Sequence, residues 1–351
     1  MNTKRKISGR RQHANVTAND VARQAGVSPM TVSRVINDEA NVRESTRTIV
    51  NEVIKDLGYS PNKAARSLAS AKQIKVGILY SDPSSTYLSA MLFGLLEQAR
   101  QSDTQVTVVS CDGGSATEDV LNGMIEDAVD GIILAPPLSD SRQAFEIVKA
   151  MDIPAVTIGS QHEDDRISSV HINDVDAARS MTEHLIALGH RRIGFIIGHP
   201  AQSASRQRLK GYRLAMRNAG IEVAEELVVQ GEFSYQSGFE AADKLLKLDN
   251  RPTAIFACND DMAAGAIATA HRHQIDVPKD LTVCGFDDTM LALTIWPAIT
   301  TMRQPIAEMS KAAVGILDKI IRQKLVGQAV SPQYLEFDFS LIKRQSDGPP
   351  A

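Results

Sequence analysis

The run Val16–Asn37, VTANDVARQAGVSPMTVSRVIN, constrains this chain more than any other stretch, because it has the signals of two short helices joined by a tight turn. Thr17 is the predicted N-cap of the first helix, with Asp20 in its first turn. Gly26 supplies the left-handed residue that a tight helix exit needs, and Ser28 caps the second helix. The pattern predicts a helix-turn-helix whose second helix fits the major groove of DNA.

The second helix has an apolar and a polar side. Val32, Val35 and Ile36 are expected to face inward, so the N-terminal outer face meets base edges and phosphates. Arg34 on that face is a natural partner for a base or a phosphate. The residues predicted to contact DNA here are Thr17, Ser28, Pro29, Met30, Thr31, Ser33, Arg34 and Asn37. The alternative is a small amphipathic helical pair with no nucleic-acid partner.

Charge is divided unevenly along the chain. The formal net charge is −4, but residues 1–72 hold 13 Lys and Arg against 6 Asp and Glu, a net charge of +7. The remainder holds 25 against 36, a net charge of −11. A basic head on an acidic body indicates a phosphate-binding module. Lys4–Arg11, KRKISGRR, is expected to be a disordered arm that either adds phosphate contacts or is a solvated tail with no role.

A third helix is predicted over Ser45–Leu57, where apolar residues recur at helical spacing. Its core face is expected to be Ile49, Val53, Ile54 and Leu57. Roughly sixty residues make a marginal core, so the head should be only modestly stable without DNA.

The segment Tyr59–Ser70, YSPNKAARSLAS, joins this head to the rest of the chain. Together with the Val16–Asn37 run it closely resembles the LacI/GalR family of bacterial transcription regulators, and the likeness extends to about Phe339. The resemblance implies a three-helix DNA head, a short hinge helix and a periplasmic-binding-protein-like effector domain.

The hinge helix that this resemblance implies spans residues 62–68. Asn62 begins it, the small Ala65 permits close approach of two hinge helices, and Leu68 is the apolar wedge inserted at the centre of the operator. A helix of about two turns is too short to be stable alone, so it is expected to fold only on DNA and on its dimer mate.

The rest of the chain alternates short β-rich runs with helix-like segments. The runs are KVGILY, VTVVS, DGIILA, PAVTIG, RIGFIIG, LVVQG, TAIFAC and LTVCGF. Such alternation predicts α/β structure with parallel sheets, and the length predicts two Rossmann-like lobes. The resemblance places the first lobe at 75–173 with a return near 304–328. It places the second at 174–301, with the final strand near 334–339 and crossovers near 173, 301 and 330.

Ligands of such folds lie at the carboxyl ends of the strands, so polar residues just past strand ends become candidates. In the family, the positions matching Arg208, Asn259 and Asp287 hydrogen-bond the effector, and the position matching Phe233 packs on it. The effector-binding candidates are Ser81, Asp82, Arg206, Arg208, Phe233, Asn259 and Asp287, with Asp164 and Asp165 weaker. Their donors, acceptors and aromatic ring suit a small polyhydroxylated ligand. The alternative for a single Asp is a helix N-cap, and Arg206 has the alternative of a surface ion pair.

Nothing in the sequence indicates an enzyme, a cofactor or a metal site. There is no phosphate-loop pattern, GxGxxG or GxSxG motif, and the three cysteines lack CxxC spacing. His271 and His273 are two residues apart, which does not place both on one helix face. Without an apolar leader or a membrane-spanning run, a cytoplasmic protein with no membrane partner is expected.

The expected molecule is a homodimer that binds a near-palindromic double-stranded DNA operator and is released by a small sugar effector. Three alternatives stay open: a purine-like corepressor system, a sugar-responsive activator, and a ligand-binding module without DNA activity. The expected division is a basic arm 1–15, a DNA-binding domain 16–60, a hinge helix and linker 61–73, an effector and dimerisation domain 74–340, and a disordered tail 341–351.

Overall fold

A computed structural model describes residues 17–36, 42–57, 73–81, 84–111, 115–126, 128–161, 164 and 166–351. The chain forms two compact units, Met1–Gln73 and Ile74–Ala351. Several predictions lie outside the described residues. They concern the basic arm 1–15, Asn37, the hinge residues Asn62, Ala65 and Leu68, and the cleft candidates Asp82 and Asp165.

The described residues of the first unit form three helices, whose bounds are α1 Ala18–Ala25, α2 Pro29–Ile36 and α3 Glu44–Asp56. Thr17 caps α1 in a capping box with Asp20, and Gly26 ends α1 at a φ of 66°. Val21, Val32 and Val50, one from each helix, are fully buried. Local capping signals therefore define the helix ends, and a small valine-rich core joins them.

The predicted core face of α3 was wrong at one position. Ile49 is 49% exposed, whereas Val50 beside it is fully buried. Val53, Ile54 and Leu57 pack against the core as predicted. Val50, Val53, Ile54 and Leu57 follow the spacing i, i+3, i+4 and i+7 of one helix face, and Ile49 lies outside it.

In the part of the second unit that the structure describes there are two six-stranded sheets. The strands are β1 Lys75–Tyr80, β2 Gln105–Ser110, β3 Gly131–Leu134, β4 Ala155–Ile158, β5 Ile167–Ile172, β6 Ile193–Ile197, β7 Val228–Gln230, β8 Ala254–Ala257, β9 Thr282–Asp287, β10 Thr300–Arg303, β11 Tyr334–Phe337 and β12 Ser340–Ile342. The helices are α4 Ser85–Ser102, α5 Ser115–Glu126, α6 Arg142–Ala150, α7 Asp174–Ala187, α8 Ser203–Asn218, α9 Tyr235–Leu246, α10 Asp260–Arg272, α11 Met290–Thr294 and α12 Ile306–Leu325.

Each sheet is the centre of one lobe. The first lobe has the strand order β11-β5-β4-β3-β1-β2, all parallel, and the second has β12-β10-β9-β8-β6-β7, parallel except for β12. The central strands β3, β4 and β8 are buried at every position, as expected for parallel strands covered by helices on both faces. The chain crosses between lobes after β5, after β10 and after β11.

The last strands correct the predicted topology. The final strand was expected in the second lobe, with a crossover near 330, but β11 pairs in parallel with β5 of the first lobe. The chain then crosses to the second lobe, where β12 pairs antiparallel with β10. Two short strands, one for each sheet edge, replace the single expected strand.

The predicted disordered tail, residues 341–351, is instead bound along the second lobe. Ser346 is fully buried, accepts a hydrogen bond from the Thr300 N–H at 2.8 Å and donates one to the Val283 carbonyl at 2.5 Å. Asp347 lies 2.7 Å from His184 Nε2. The polar composition of the tail suggested disorder, but its polar groups are used in buried hydrogen bonds.

Candidate nucleic-acid interface and ligand cleft

The helix-turn-helix presents an exposed surface at the start of α2. Met30 is 64% exposed, and Pro29, Ser33 and Arg34 are also exposed. The first turn of a recognition helix meets base edges, so this exposed surface remains the candidate for contact with DNA.

Three of the predicted DNA contacts also hold the motif together. The Ser28 hydroxyl accepts a hydrogen bond from the Thr31 N–H at 3.1 Å, and the two hydroxyls lie 2.9 Å apart. Thr17 bonds to Asp20 in the α1 capping box. Removal of these hydroxyls is therefore expected to affect helix ends as well as DNA contact.

The second unit has a cleft between its lobes, at the carboxyl ends of both sheets. Its lining residues come from both lobes and are Ser84, Tyr87, Pro136, Asp140, Gly159, Ile172, Asp174, Gln202, Ala204, Arg208, Phe233, Asn259, Asp287 and Gln304. The position agrees with the general location of ligands in open α/β sheets.

Arg208 is the central cation of the cleft and is 5% exposed. Its Nε donates to Asp174 Oδ1 at 2.7 Å, and its Nη1 lies 3.7 Å from Asp287 Oδ1. Nη1 also donates to the Cys258 carbonyl at 2.5 Å, and the guanidinium lies 3.6 Å from the centre of the Phe286 ring. Burial disfavours the cation, but the two carboxylates outweigh this effect and raise the pKa of Arg208.

Asp287 ends β9 with a φ of 108° and points its carboxylate into the cleft. Gln304, which follows β10, donates its amide N–H to Asp287 Oδ1 at 2.6 Å. Burial raises the pKa of Asp287 well above its ordinary value, and Arg208 opposes that shift. The site thus holds a carboxylate that gains from any further hydrogen-bond donor.

Phe233 and Asn259 form the wall of the second lobe. Asn259 caps α10 by accepting from the Met262 N–H at 2.9 Å, and its amide donates to the Phe233 carbonyl at 2.8 Å. The Phe233 ring packs on Gly198, where an added Cβ would come within 2.0 Å of the ring. Because Gly198 has no side chain, the Phe233 ring can occupy the space that a Cβ would fill.

Two predicted effector contacts do not line the cleft. Arg206 is exposed and donates to the Pro200 carbonyl at 3.1 Å. It lies two positions before Arg208 on α8, which places the two side chains on nearly opposite helix faces. Ser81 directly follows β1 and is half-buried outside the lining, whereas Ser84 reaches the cleft.

Other strand-end carboxylates are used within the protein. Asp260 is fully buried and accepts from Thr301 Oγ1 at 2.6 Å and from the Thr289 N–H at 2.8 Å. Asp288 accepts from Arg303 Nε at 2.6 Å, and Asp164 pairs with Lys149 away from the cleft. These carboxylates therefore have structural partners and are not directed at a ligand.

Several lining residues were not predicted from the sequence. Asp174 and Gln304 follow β5 and β10, which were not recognised as strands, and Asp140 lies in a 3₁₀ turn, Leu138–Asp140, a few residues after β3. The rule that found Asp287 would have found the first two if those strands had been recognised. The cleft combines carboxylates, amides, one guanidinium and aromatic rings, which suits a small ligand rich in hydroxyl groups.

Comparisons with known proteins identify both parts of the chain. The model of bacterial regulatory proteins of the lacI family matches residues 17–62, and that of the periplasmic binding protein-like domain matches 182–346. Catabolite control protein A of Priestia megaterium is 36% identical over 329 residues, which cover 92% of this chain and 98% of that protein. The chain belongs to the lacI family of bacterial regulatory proteins. It is a DNA-binding transcription regulator.

Other members of the family show the same extent of likeness. The HTH-type transcriptional repressor PurR of Photobacterium profundum is 33% identical over 309 residues, covering 88% of this chain and 92% of that protein. The transcriptional regulator CelR in complex with cellobiose has a TM-score of 0.71 and 29% identity, covering 94% of this chain and 99% of that chain. The lac repressor dimer bound to operator and an anti-inducer has a TM-score of 0.67 and 30% identity, covering 95% of this chain and 99% of that chain.

Among the residues that the structure describes, no helix has both the length and the apolar character needed to cross a lipid bilayer. The predictions of family and fold class are confirmed by the family and structure matches.

Proposed function

We propose that this regulator is a dimeric repressor of carbohydrate-utilisation genes, and that a neutral, polyhydroxylated effector in the cleft releases it from its operator. The observation that carries the effector class is the environment of Arg208. Its guanidinium lies between Asp174 at 2.7 Å and Asp287 at 3.7 Å, so it already has carboxyl partners within the protein.

The charge of the cleft argues against an anionic effector. The lining carries Asp140, Asp174 and Asp287 against the single cation Arg208. A phosphate group would lose its hydration in a site with no excess positive charge, where three carboxyl groups face the one guanidinium. Hydroxyl groups, in contrast, donate to the carboxylates and accept from the Gln304 amide and the guanidinium.

The relatives support this ligand class. The CelR structure contains cellobiose, a neutral sugar. PurR is named a repressor, which supports repression as the mode of regulation. The alternative of a purine-like corepressor rests on Phe233, whose ring lies 6.0 Å from the Arg208 guanidinium and offers a flat face to a nucleobase.

The dimer contact is proposed for exposed apolar side chains of the second unit. Phe93 is 75% exposed and Leu96 54%, and they lie one turn apart on α4. Met290, Leu293 and Trp296, within and just after α11, are 68%, 56% and 74% exposed. Large apolar side chains in such groups are typical of protein interfaces, and a dimer sets two recognition helices on a near-palindromic operator.

We further infer a non-enzymatic, cytoplasmic protein. Its relatives are transcriptional regulators, its proposed target is operator DNA, and Cys111, Cys258 and Cys284 are buried free thiols.

The decisive experiment combines selection of genomic fragments by the purified protein with a panel of neutral sugars, sugar phosphates and nucleobases. We expect one palindromic site beside sugar-utilisation genes, lost in the presence of one neutral sugar. Loss of operator binding in the presence of a sugar phosphate would contradict the effector class. Operator binding that appears only with a nucleobase would establish the corepressor alternative. No enriched site under any condition would contradict DNA regulation by this head.

Arg208→Ala and Arg206→Ala form a matched pair for the cleft. Both remove one arginine from α8, but only Arg208 lines the cleft. We expect Arg208→Ala to abolish the response of operator binding to the sugar and Arg206→Ala to retain it, in the same gel-shift titration. Equal responses of the two variants would contradict the proposed site.

A further inference from the structure

Two carboxylates accept hydrogen bonds across the cleft, one from each lobe. Asp261 of α10, in the second lobe, accepts hydrogen bonds from Ser84 Oγ at 2.7 Å and Thr86 Oγ1 at 3.0 Å, both in the first lobe. Asp140 of the first lobe accepts from the Ser203 backbone N–H at 2.8 Å and from Ser203 Oγ at 2.9 Å, in the second lobe. Each lobe is therefore hydrogen-bonded to the other through one of its carboxylates.

Both contacts are made at the beginnings of helices. Ser203 is the first residue of α8, so its N–H has no acceptor within the helix, and Asp140 supplies one. Ser84 is the N-cap of α4: its oxygen accepts from the Tyr87 N–H at 3.2 Å, while its hydroxyl proton is donated to Asp261. The positive end of each helix dipole favours the carboxylate that reaches it.

Ser84, Ser203 and Asp261 are shielded from water, and Asp140 and Thr86 are half-buried. Ser84 is 2% exposed, Ser203 7% and Asp261 9%. Burial raises the pKa of Asp261, and the hydroxyls of Ser84 and Thr86 oppose the shift. Charge-assisted hydrogen bonds in such surroundings are stronger than those on an open surface.

We propose that these contacts, referred to below as the latch, hold the two lobes together and thereby set effector affinity. Asp261 does not line the cleft, so it is a positioning residue that acts through Ser84. The link to effector affinity rests on the proposed function, because only a ligand held by both lobes needs them closed. When the closed state is a fraction of the population, the apparent dissociation constant rises as that fraction falls.

The latch makes a prediction that needs no ligand. Opening of the lobes separates Asp140 from Ser203, so hydrogen exchange of the Ser203 N–H reports opening. Thr86→Val removes one hydroxyl from the other latch contact, keeps the side-chain shape, and changes no residue of the cleft lining. We expect Ser203 in full-length, ligand-free Thr86→Val to exchange about ten- to hundredfold faster than in the unsubstituted protein, the loss expected for one hydrogen bond to a charged group.

The matched control is Ser89→Ala. Ser89 lies on the same helix α4, but its hydroxyl donates to the Ser85 carbonyl within that helix at 2.7 Å. We expect no change of Ser203 exchange in this variant. The Cys258 N–H, which donates to the Ile196 carbonyl at 3.0 Å within the second lobe, should exchange at the same rate in all three proteins. Asp261→Asn, which keeps the side-chain volume, should accelerate Ser203 exchange as Thr86→Val does.

Three outcomes would overturn the latch. The first is equal Ser203 exchange in Thr86→Val and Ser89→Ala, and the second is an equal acceleration of Cys258 exchange, which would show that the whole lobe is destabilised. The third is exchange of Ser203 in the unsubstituted protein at the rate of an unstructured peptide. Since no effector is present, failure here leaves the sugar response of operator binding untouched, and the two proposals fail separately.

Discussion

Asp260→Asn tests how burial of a carboxylate limits the stability of the second lobe. Asp260 is fully buried beside the cleft and accepts from Thr289 and Thr301. Burial raises its pKa from an ordinary value of 3.8 to about 7, although these hydrogen bonds oppose the shift. The substitution removes the charge. It keeps one oxygen that can accept from the Thr289 N–H, and its amide N–H can donate to the Thr301 hydroxyl.

The pKa of about 7 fixes the sign and size of the effect. A carboxyl whose pKa is higher in the folded state contributes stability that is complete below its unfolded value and is lost as pH rises through its folded value. Between pH ~5.5 and ~8 the loss amounts to about 2 kcal/mol for Asp260 alone. Removing this charge also relieves Asp287, whose pKa Asp260 helps to raise. The variant should therefore show a markedly smaller loss over this range.

Urea denaturation followed by the fluorescence of Trp296, the one tryptophan of the chain and part of the second lobe, measures this directly. Asp249→Asn, which changes an exposed carboxylate of the same lobe, should keep the pH dependence of the unsubstituted protein. Identical pH dependence in Asp260→Asn and Asp249→Asn would refute the argument that Asp260 is protonated within the folded lobe at mildly acid pH.

Three further predictions concern DNA, assembly and effector binding. Met30→Ala should change the base preference of selected operator sites while non-specific affinity stays within about twofold, because the side chain is exposed at the start of α2; an unaltered selected motif would contradict base contact. Phe93→Asp should shift sedimentation from dimer toward monomer at low micromolar concentration without loss of secondary structure. An unchanged dimer would show that Phe93 lies outside the interface. Gly198→Ala should weaken effector binding by tenfold or more in calorimetry while operator binding persists, since the added Cβ displaces the Phe233 ring; unaltered affinity would remove that ring from the site.

The head was predictable because its signals are local. Thr17, Gly26 and Ser28 define helix ends through contacts with their immediate neighbours, and the structure shows the Thr17 and Ser28 cap bonds and the left-handed Gly26. The error at Ile49 arose because Ile49 and Val50 are adjacent apolar residues. The spacing i, i+3, i+4 and i+7 from Val50 selects Val50 over Ile49, so the sequence itself held the signal that was missed.

The cleft was predicted in part for a similar reason. Arg208, Phe233, Asn259 and Asp287 line it, and each follows or opens an element next to a recognisable apolar strand. β5 and β10 read as polar, ISSVHI and TTMR, although their serine and threonine residues are buried. Buried hydroxyls find partners only in the folded sheet, so hydrophobic patterning could not identify these strands or the residues that follow them.

The polar groups of the cleft are already paired with one another, and this bears on how it discriminates among ligands. Gln304 donates to Asp287 at 2.6 Å, and Arg208 donates to Asp174 at 2.7 Å. A ligand hydroxyl therefore gains only the difference between its own bonds and those that it replaces. A ligand that separates Gln304 from Asp287 but lacks the matching hydroxyl leaves a buried carboxylate without its donor. The cost of that unpaired group is larger than the gain from a single added hydrogen bond, so discrimination arises mainly from rejection of incomplete ligands.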